Sequence, residues 1–207
     1  MSPVLLVVAG PNGAGKTTVT VRLRTERWSE NVEYLNPDDV ARDRFGDWNS
    51  SEAVRSAAAW TTARRNELIA SHRGVAFETV FSTDEKVEFL RRAKALGYFV
   101  RVFYVGTRDP RINAARVAGR VMQGGHTVPI EKIVSRYARS MANLSAALRI
   151  ADRVYVYDNS VEDEDARLVA RTVDGLVRKV YGHLPEWVER ALAGLARHAD
   201  FADQRVA

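Results

Sequence analysis

The sequence predicts an α/β fold of the P-loop type: a doubly wound parallel sheet of about five strands, with helices on both faces and an arginine-rich lid. Three observations carry this. Short apolar runs, too brief for helices, alternate with longer stretches of helical spacing. The first run stops abruptly in a glycine-rich turn and a lone lysine. Basic charge is gathered in one segment instead of being spread along the chain.

The elements follow in order. Residues 4–9, "VLLVVA", form a continuous apolar run suited to a strand buried on both faces. A helix is expected from about Gly15 to Arg27, and "VEYL" at 32–35 reads as a second strand ending at "NPDD". A long helix from about Ser51 to Ser71 leads to a third strand from about Val75, within "GVAFETVF". Ser82 and Glu85 have capping-box spacing for a helix running to Leu96, which Gly97 stops. "YFVRVFYV" at 98–105 is the fourth strand, and "RVYVYD" at 153–158 the fifth, with a helix expected on each side. Strands alternating with helices imply parallel pairing and right-handed crossovers, so ligands should sit at the carboxyl ends of the strands. The segment from Asp109 to Val128 breaks the alternation and reads as an insertion with a flexible tip at "QGGH". The tail from about Leu184 has helical spacing at Trp187, Leu192 and Leu195.

The chain has 207 residues, 46% hydrophobic and 28% charged, an ordinary globular balance. No apolar run approaches the roughly 20 residues of a membrane helix, and Val4 to Ala9 lacks the charged start and length of a signal peptide. A cytoplasmic location without membrane contact is therefore expected. The absence of cysteine excludes disulfides and thiolate metal sites. Residues 108–149 carry a net +6 against +5 for the whole chain, mostly as arginine, whose planar fork suits phosphate oxygens. Such concentration favours a site for a compact anion.

Gly10, Gly15, Lys16 and Thr17 match G-x-x-x-x-G-K-[ST], after a strand and opening a helix, as the chemistry of a phosphate cradle demands. The backbone of Gly10, Asn12, Gly13, Ala14, Gly15 and Thr18 would turn its N–H groups inward around phosphate oxygens, aided by the helix N-terminus. Lys16 would reach the β- and γ-phosphates, and Thr17 would ligate Mg²⁺. The motif implies ATP or GTP binding.

The other strand ends supply candidates for chemistry. Asp38 and Asp39 fall just past the second strand, where a carboxylate can take a proton from an acceptor hydroxyl or order Mg²⁺-bound water. Asp39 suits a capping role. Glu78 ends the third strand with Thr79 beside it; a carboxylate there needs a partner, either Mg²⁺ through water or a substrate hydroxyl. Beyond Pro129, Ile130, Ile133, Tyr137, Met141, Leu144 and Leu148 form an apolar helical stripe, with Arg136, Arg139, Ser140 and Asn143 on the adjoining one. Arg116 and Arg120, four apart, share a helix face. Two arginine sets flanking "QGGH" suggest a lid that closes over the nucleotide and neutralises the transferring phosphoryl group. His126 within it reads as a loop residue.

"GPNGAGKTT", "NPDDVA", "FETVFST", "RVAGRVMQGGHTVP", "RYARSMANL" and "VYDNS", in that order, resemble the zeta-toxin family of P-loop kinases over roughly Val4 to Ser160. The resemblance implies a kinase that uses ATP and Mg²⁺ to phosphorylate a hydroxyl of a UDP-linked amino sugar, UDP-N-acetylglucosamine, and a possible small antitoxin partner. It implies Lys16 as the phosphate-binding lysine, Asp38 as the catalytic base, and Glu78 and Thr79 as sugar contacts. Arg120 and Arg136 become the candidate transition-state arginines, with Arg116 toward the nucleotide and Arg139 toward the substrate, in roles that could be exchanged. On this reading residues 1–183 form the kinase domain, with its lid at roughly 109–128, and 184–207 a helical tail frayed at its end. Two other readings compete: a polynucleotide or RNA end kinase, and a nucleotide-gated interaction module. A nucleic-acid partner is disfavoured because no extended basic–aromatic groove is visible in the sequence.

Overall fold

In the computed structural model, which describes residues 2–26, 31–46, 50–122 and 128–197, every expected strand is present. The chain runs β1 (Val4–Ala9), α1 (Lys16–Leu23), β2 (Val32–Leu35), α2 (Pro37–Phe45), α3 (Ser51–Ala70), β3 (Gly74–Thr79), α4 (Asp84–Ala95) and β4 (Phe99–Gly106). It continues as α5 (Pro110–Met122), α6 (Ile130–Ile150), β5 (Arg153–Asp158), β6 (Arg167–Val173), β7 (Leu176–Val180) and α7 (Glu186–Leu192). The strands form one sheet in the order β2-β3-β1-β4-β5-β6-β7, parallel from β2 to β5 and antiparallel beyond.

The sheet thus has seven strands, not five, and β5 is followed by a hairpin instead of a helix. The signal was present: Asp174 and Gly175 both take positive φ (47° and 78°) at the tip, the Asp-Gly pair that a tight hairpin favours. The "NPDD" turn is also more than a turn. Asn36 caps α2 by accepting the Asp38 N–H at 2.9 Å, and Pro37 occupies the first helical turn, where its missing N–H costs nothing. The expected Ser82–Glu85 capping box does not form; Thr83 is the N-cap of α4 and makes no side-chain cap bond. Tertiary contacts claim this turn instead: Phe81, at φ 58°, is buried, and Asn143 donates to the Phe81 and Thr83 carbonyls at 3.0 and 3.2 Å. The first helix ends at Leu23; the expected end at Arg27 lies outside the described residues. α7 stops before Leu195, and Ile130 is 64% exposed at the start of α6 instead of joining the buried stripe.

Helices cover both sheet faces, but unequally. On one face Leu5, Val7, Val75, Val102 and Val154 pack with α3, α4, α6 and α7 through Leu68, Leu90, Leu144, Leu148 and Trp187. Each fully buried side chain of this size contributes on the order of 2 kcal/mol. On the other face Leu6, Val8, Phe103 and Val105 lie with Val19 of α1. Among the described residues no helix is long and apolar enough to cross a membrane.

Candidate active site

The turn after β1 is glycine-rich because its three glycines, Gly10, Gly13 and Gly15, stand where a Cβ would collide with neighbouring atoms. A Cβ on Gly10 would lie 2.0 Å from the Val105 carbonyl oxygen, and one on Gly15 2.3 Å from Asn159 Nδ2. Both residues take positive φ, which glycine tolerates best. Two amides pin the loop from outside: Asn113 Nδ2 donates to the Asn12 carbonyl at 2.6 Å, and Asn159 Nδ2 to the Ala14 carbonyl at 2.8 Å. Asn113 is fully buried and its Oδ1 accepts from Thr107 Oγ1. Gly15 caps α1 without a side-chain bond, so the N-terminal N–H groups of α1 point out of the helix end toward any anion held there.

Lys16 crosses this loop and donates to the carbonyls of Gly10 (2.9 Å) and Pro11 (3.0 Å). Burial lowers its pKa to about 8; the Glu78 charge opposes that shift and the Arg120 charge adds to it. Register explains the proximity of Glu78. Val8 of β1 stands beside Glu78 of β3, and Ala9 beside Thr79, so the carboxylate emerges next to the loop. Thr17 Oγ1 donates to Glu78 Oε2 at 3.4 Å, and the Tyr34 hydroxyl to Glu78 Oε1 at 3.0 Å. Burial and the Glu78 charge hold the Tyr34 phenol firmly protonated. Tyr34 therefore serves as a donor.

Two clefts meet at Glu78. The first, about 590 Å³, is lined by the loop, Lys16, Thr17, Thr18, Asp38, Arg116 and Arg120. The second, about 480 Å³, is lined by Thr79, Thr62, Arg65, Lys86, Arg136 and Arg139. Of the sequence candidates, Asp38, Glu78, Arg116 and Arg120 thus gather around the loop. Arg136 and Arg139 gather in the neighbouring cleft. Asp39 is turned to an ion pair with Arg42 at 2.7 Å. Arg116 is already engaged, donating to the carbonyls of Asn159 (2.8 Å) and Val161 (3.0 Å) while it lines the first cleft. Thr79 Oγ1 accepts the Phe81 N–H at 3.1 Å, and Ser140 is buried against the Tyr104 hydroxyl at 3.0 Å, away from the clefts. His126 and the tip of the expected lid, 123–127, lie outside the described residues.

Sequence reasoning missed Asn113, Asn159, Tyr34, Arg65 and Lys86. Asn159 was in view within "VYDNS", but nothing local says that its amide reaches a loop 145 residues earlier. Arg65 looks like its neighbour Arg64. Yet Arg64 binds Glu33 at 2.7 Å, while Arg65 lies over the rings of Phe77 and Phe89 at 4.9 and 4.8 Å, its Nε buried without an acceptor among the described residues.

Hard oxygen donors of the kind Mg²⁺ takes are present in the first cleft: the Thr17 hydroxyl and the carboxylates of Asp38 and Glu78. Among the described residues no cluster of three or more acidic or histidine side chains could form an all-protein metal cage. That pattern suits a cation shared with nucleotide phosphates.

The family model described as Zeta toxin matches residues 1–170. An uncharacterized protein of Haemophilus influenzae is 27% identical over 128 residues, which are 62% of this chain and 88% of that protein. A solved structure from the PezAT chromosomal toxin–antitoxin system of Streptococcus pneumoniae superposes with a TM-score of 0.57 at 18% identity, covering 80% of this chain and 70% of its own. The AvrRxo1-ORF1:-ORF2 structure with ATP gives 0.66 at 18% identity, covering 98% of this chain and 67% of its own. At these identities the two structures bear on the fold.

Proposed function

This chain belongs to the zeta-toxin family of P-loop kinases, and on that premise we propose that it moves the γ-phosphoryl group of ATP to a hydroxyl of a nucleotide-linked sugar. UDP-N-acetylglucosamine is the first acceptor to test. The observation that carries this reading is the pair of clefts sharing Glu78: a phosphate cradle on one side and a cationic cleft on the other.

The roles follow from placement. The loop N–H groups and Lys16 hold the β- and γ-phosphates, and Arg120 meets the charge that develops on the transferring group. Mg²⁺, held by Thr17 with Asp38 and Glu78 nearby, would screen the phosphate oxygens when bound. Asp38, exposed at the start of α2, takes the acceptor hydroxyl proton. The acceptor oxygen then bonds to the γ-phosphorus, the bond from that phosphorus to the β-phosphate oxygen breaks, and ADP leaves. Glu78 and Thr79 orient the sugar, while Arg136, Arg139, Arg65 and Lys86 receive the anionic part of the acceptor. Arg116 links the cleft wall to the loop after β5, and residues 109–128 act as the lid. A small antitoxin protein and a cytoplasmic location complete the proposal.

The test is label transfer from γ-labelled ATP across a panel of nucleotide sugars and unlinked phosphosugars, with product identification. Transfer to a nucleotide sugar, lost in Asp38→Asn with ATP binding kept, supports the reading. ATP binding without transfer to any member of the panel overturns it.

A further inference from the structure

Tyr34 reaches the candidate site from β2 but has no part in the phosphoryl transfer proposed above. Register brings it there. Tyr34 stands beside Ala76 of β3, and Ala76 packs with Val8 and with Val19 of α1. Glu78 comes two residues after Ala76 on the same strand, so the Tyr34 and Glu78 side chains leave the sheet on one face, the face that carries α1. Tyr34 shares the wall of a cavity there with Leu6, Val8 and Ala76, and the Arg24 guanidinium lies over its ring at 5.0 Å. Its hydroxyl is thus placed by a strand and not by a loop.

The two oxygens of Glu78 have different partners. Oε1 accepts the Tyr34 hydroxyl at 3.0 Å, and Oε2 accepts the Thr17 hydroxyl at 3.4 Å. Donors from two elements, one on each oxygen, leave the torsions of the glutamate little freedom. The Tyr34 bond is the shorter, so it is the firmer anchor. The neighbourhood gives that anchor a purpose. The Glu78 charge is felt at Lys16, whose ammonium is turned to the Gly10 and Pro11 carbonyls. A carboxylate released from Tyr34 would be free to pair with that ammonium instead of staying beside Thr17. A tyrosine suits the task because its phenol, buried and next to a carboxylate, stays protonated. It donates without cancelling the Glu78 charge, as a lysine or arginine in its place would.

We propose that Tyr34 is a positioning residue: by holding Oε1 of Glu78 it keeps Oε2 beside the Thr17 hydroxyl, so that both oxygens serve the divalent cation bound with the nucleotide. This role rests on the reading of the loop cleft as the nucleotide site. Hard cations take oxygen donors, and loss of a group that orients such a donor costs about 10- to 100-fold in metal affinity. Removing the Tyr34 hydroxyl should therefore weaken the response to the cation. The fit of the phosphates to the loop N–H groups, which Tyr34 does not touch, should survive.

The test compares one nucleotide with and without metal. A fluorescent, non-hydrolysable ATP analogue is titrated with the full chain and followed by anisotropy, once in Mn²⁺ and once in EDTA. The quantity read is the EDTA dissociation constant divided by the Mn²⁺ one. Tyr34→Phe, which keeps the ring, should bring that ratio down about tenfold, toward one, while the EDTA constant stays within about twofold of the parent. In a Glu78→Gln background the same substitution should change the ratio by less than about twofold, because the carboxylate it acts through is gone. Both constants come from one preparation, so a smaller folded fraction scales them alike and the ratio still reports. A parent-like ratio in Tyr34→Phe overturns the proposal, as does an equal loss in the Glu78→Gln background, which would place the effect of the hydroxyl elsewhere. A ratio near one in the parent, with binding kept, overturns it and leaves nucleotide binding standing. No binding of the analogue by the parent overturns both this role and the nucleotide reading of the cleft.

Discussion

The two clefts that meet at Glu78 are built from different materials. The loop cleft is mostly backbone, fixed by glycines that admit no Cβ and by amides of Asn113 and Asn159 that hold its carbonyls. The neighbouring cleft is mostly side chain, with cations from α3, α4 and α6 and hydroxyls from α3 and β3. A backbone cradle suits a ligand part that does not vary, the polyphosphate. Side-chain cations can be exchanged by single substitutions, so on the proposed function the second cleft is where the choice of acceptor would reside. Glu78 belongs to both, which makes it the point where changes on one side are felt on the other.

That contrast can be broken most forcefully at Lys16. Lys16→Ala should reduce phosphoryl transfer by about 10³-fold while the fold survives, because a preorganised cation on the transferring group is lost. Retained transfer with weakened acceptor binding would reverse the assignment of the clefts. The next effect is expected on the other side. Arg65→Ala or Arg139→Ala should raise the acceptor KM about 10- to 100-fold, the scale of one charge-assisted hydrogen bond, with the ATP KM within about twofold of the parent. Steady-state kinetics with each substrate varied in turn reads this, and a rise in the ATP KM alone would erase the distinction. Smaller still is the loss of one loop pin. Asn159→Ala should raise the ATP KM about 5- to 20-fold without touching the acceptor KM, since one buried loop carbonyl loses its donor.

The smallest effect is a proton. Because burial lowers Lys16 to about 8, its ammonium charge is complete well below pH 8 and lost above it. ATP favours the charged form, so affinity should be highest below pH 8 and fall as pH rises through it, with proton uptake on binding near pH 8.5. Titration calorimetry at pH 8.5 in two buffers of different ionisation heat should show a buffer-dependent enthalpy. The linkage to folding has the opposite sense. A lysine lowered in the folded state binds fewer protons there than in the unfolded chain, so its penalty is fullest below pH 8 and is relieved between pH 8 and the ordinary lysine range near 10.5.

The sequence by itself determined whatever is written in neighbouring residues. Five strands, the long helices and the phosphate loop were legible because period and turn chemistry act over a few positions. The β6–β7 hairpin was legible too, in Asp174-Gly175, but the expectation of strict alternation ran past it. Only the tertiary structure decided what depends on register and crossing. Strand pairing brought Glu78 beside the loop, and the long connections brought Asn159 to Ala14 and Arg65 into a cleft with Arg139. It also brought Tyr155, Arg171 and Lys179 into line across three strands, a juxtaposition that no single segment announces. Each strand shows a short alternation that would suit many surfaces. The meaning lies in which strands are neighbours, and that is set by how the whole chain buries its apolar faces.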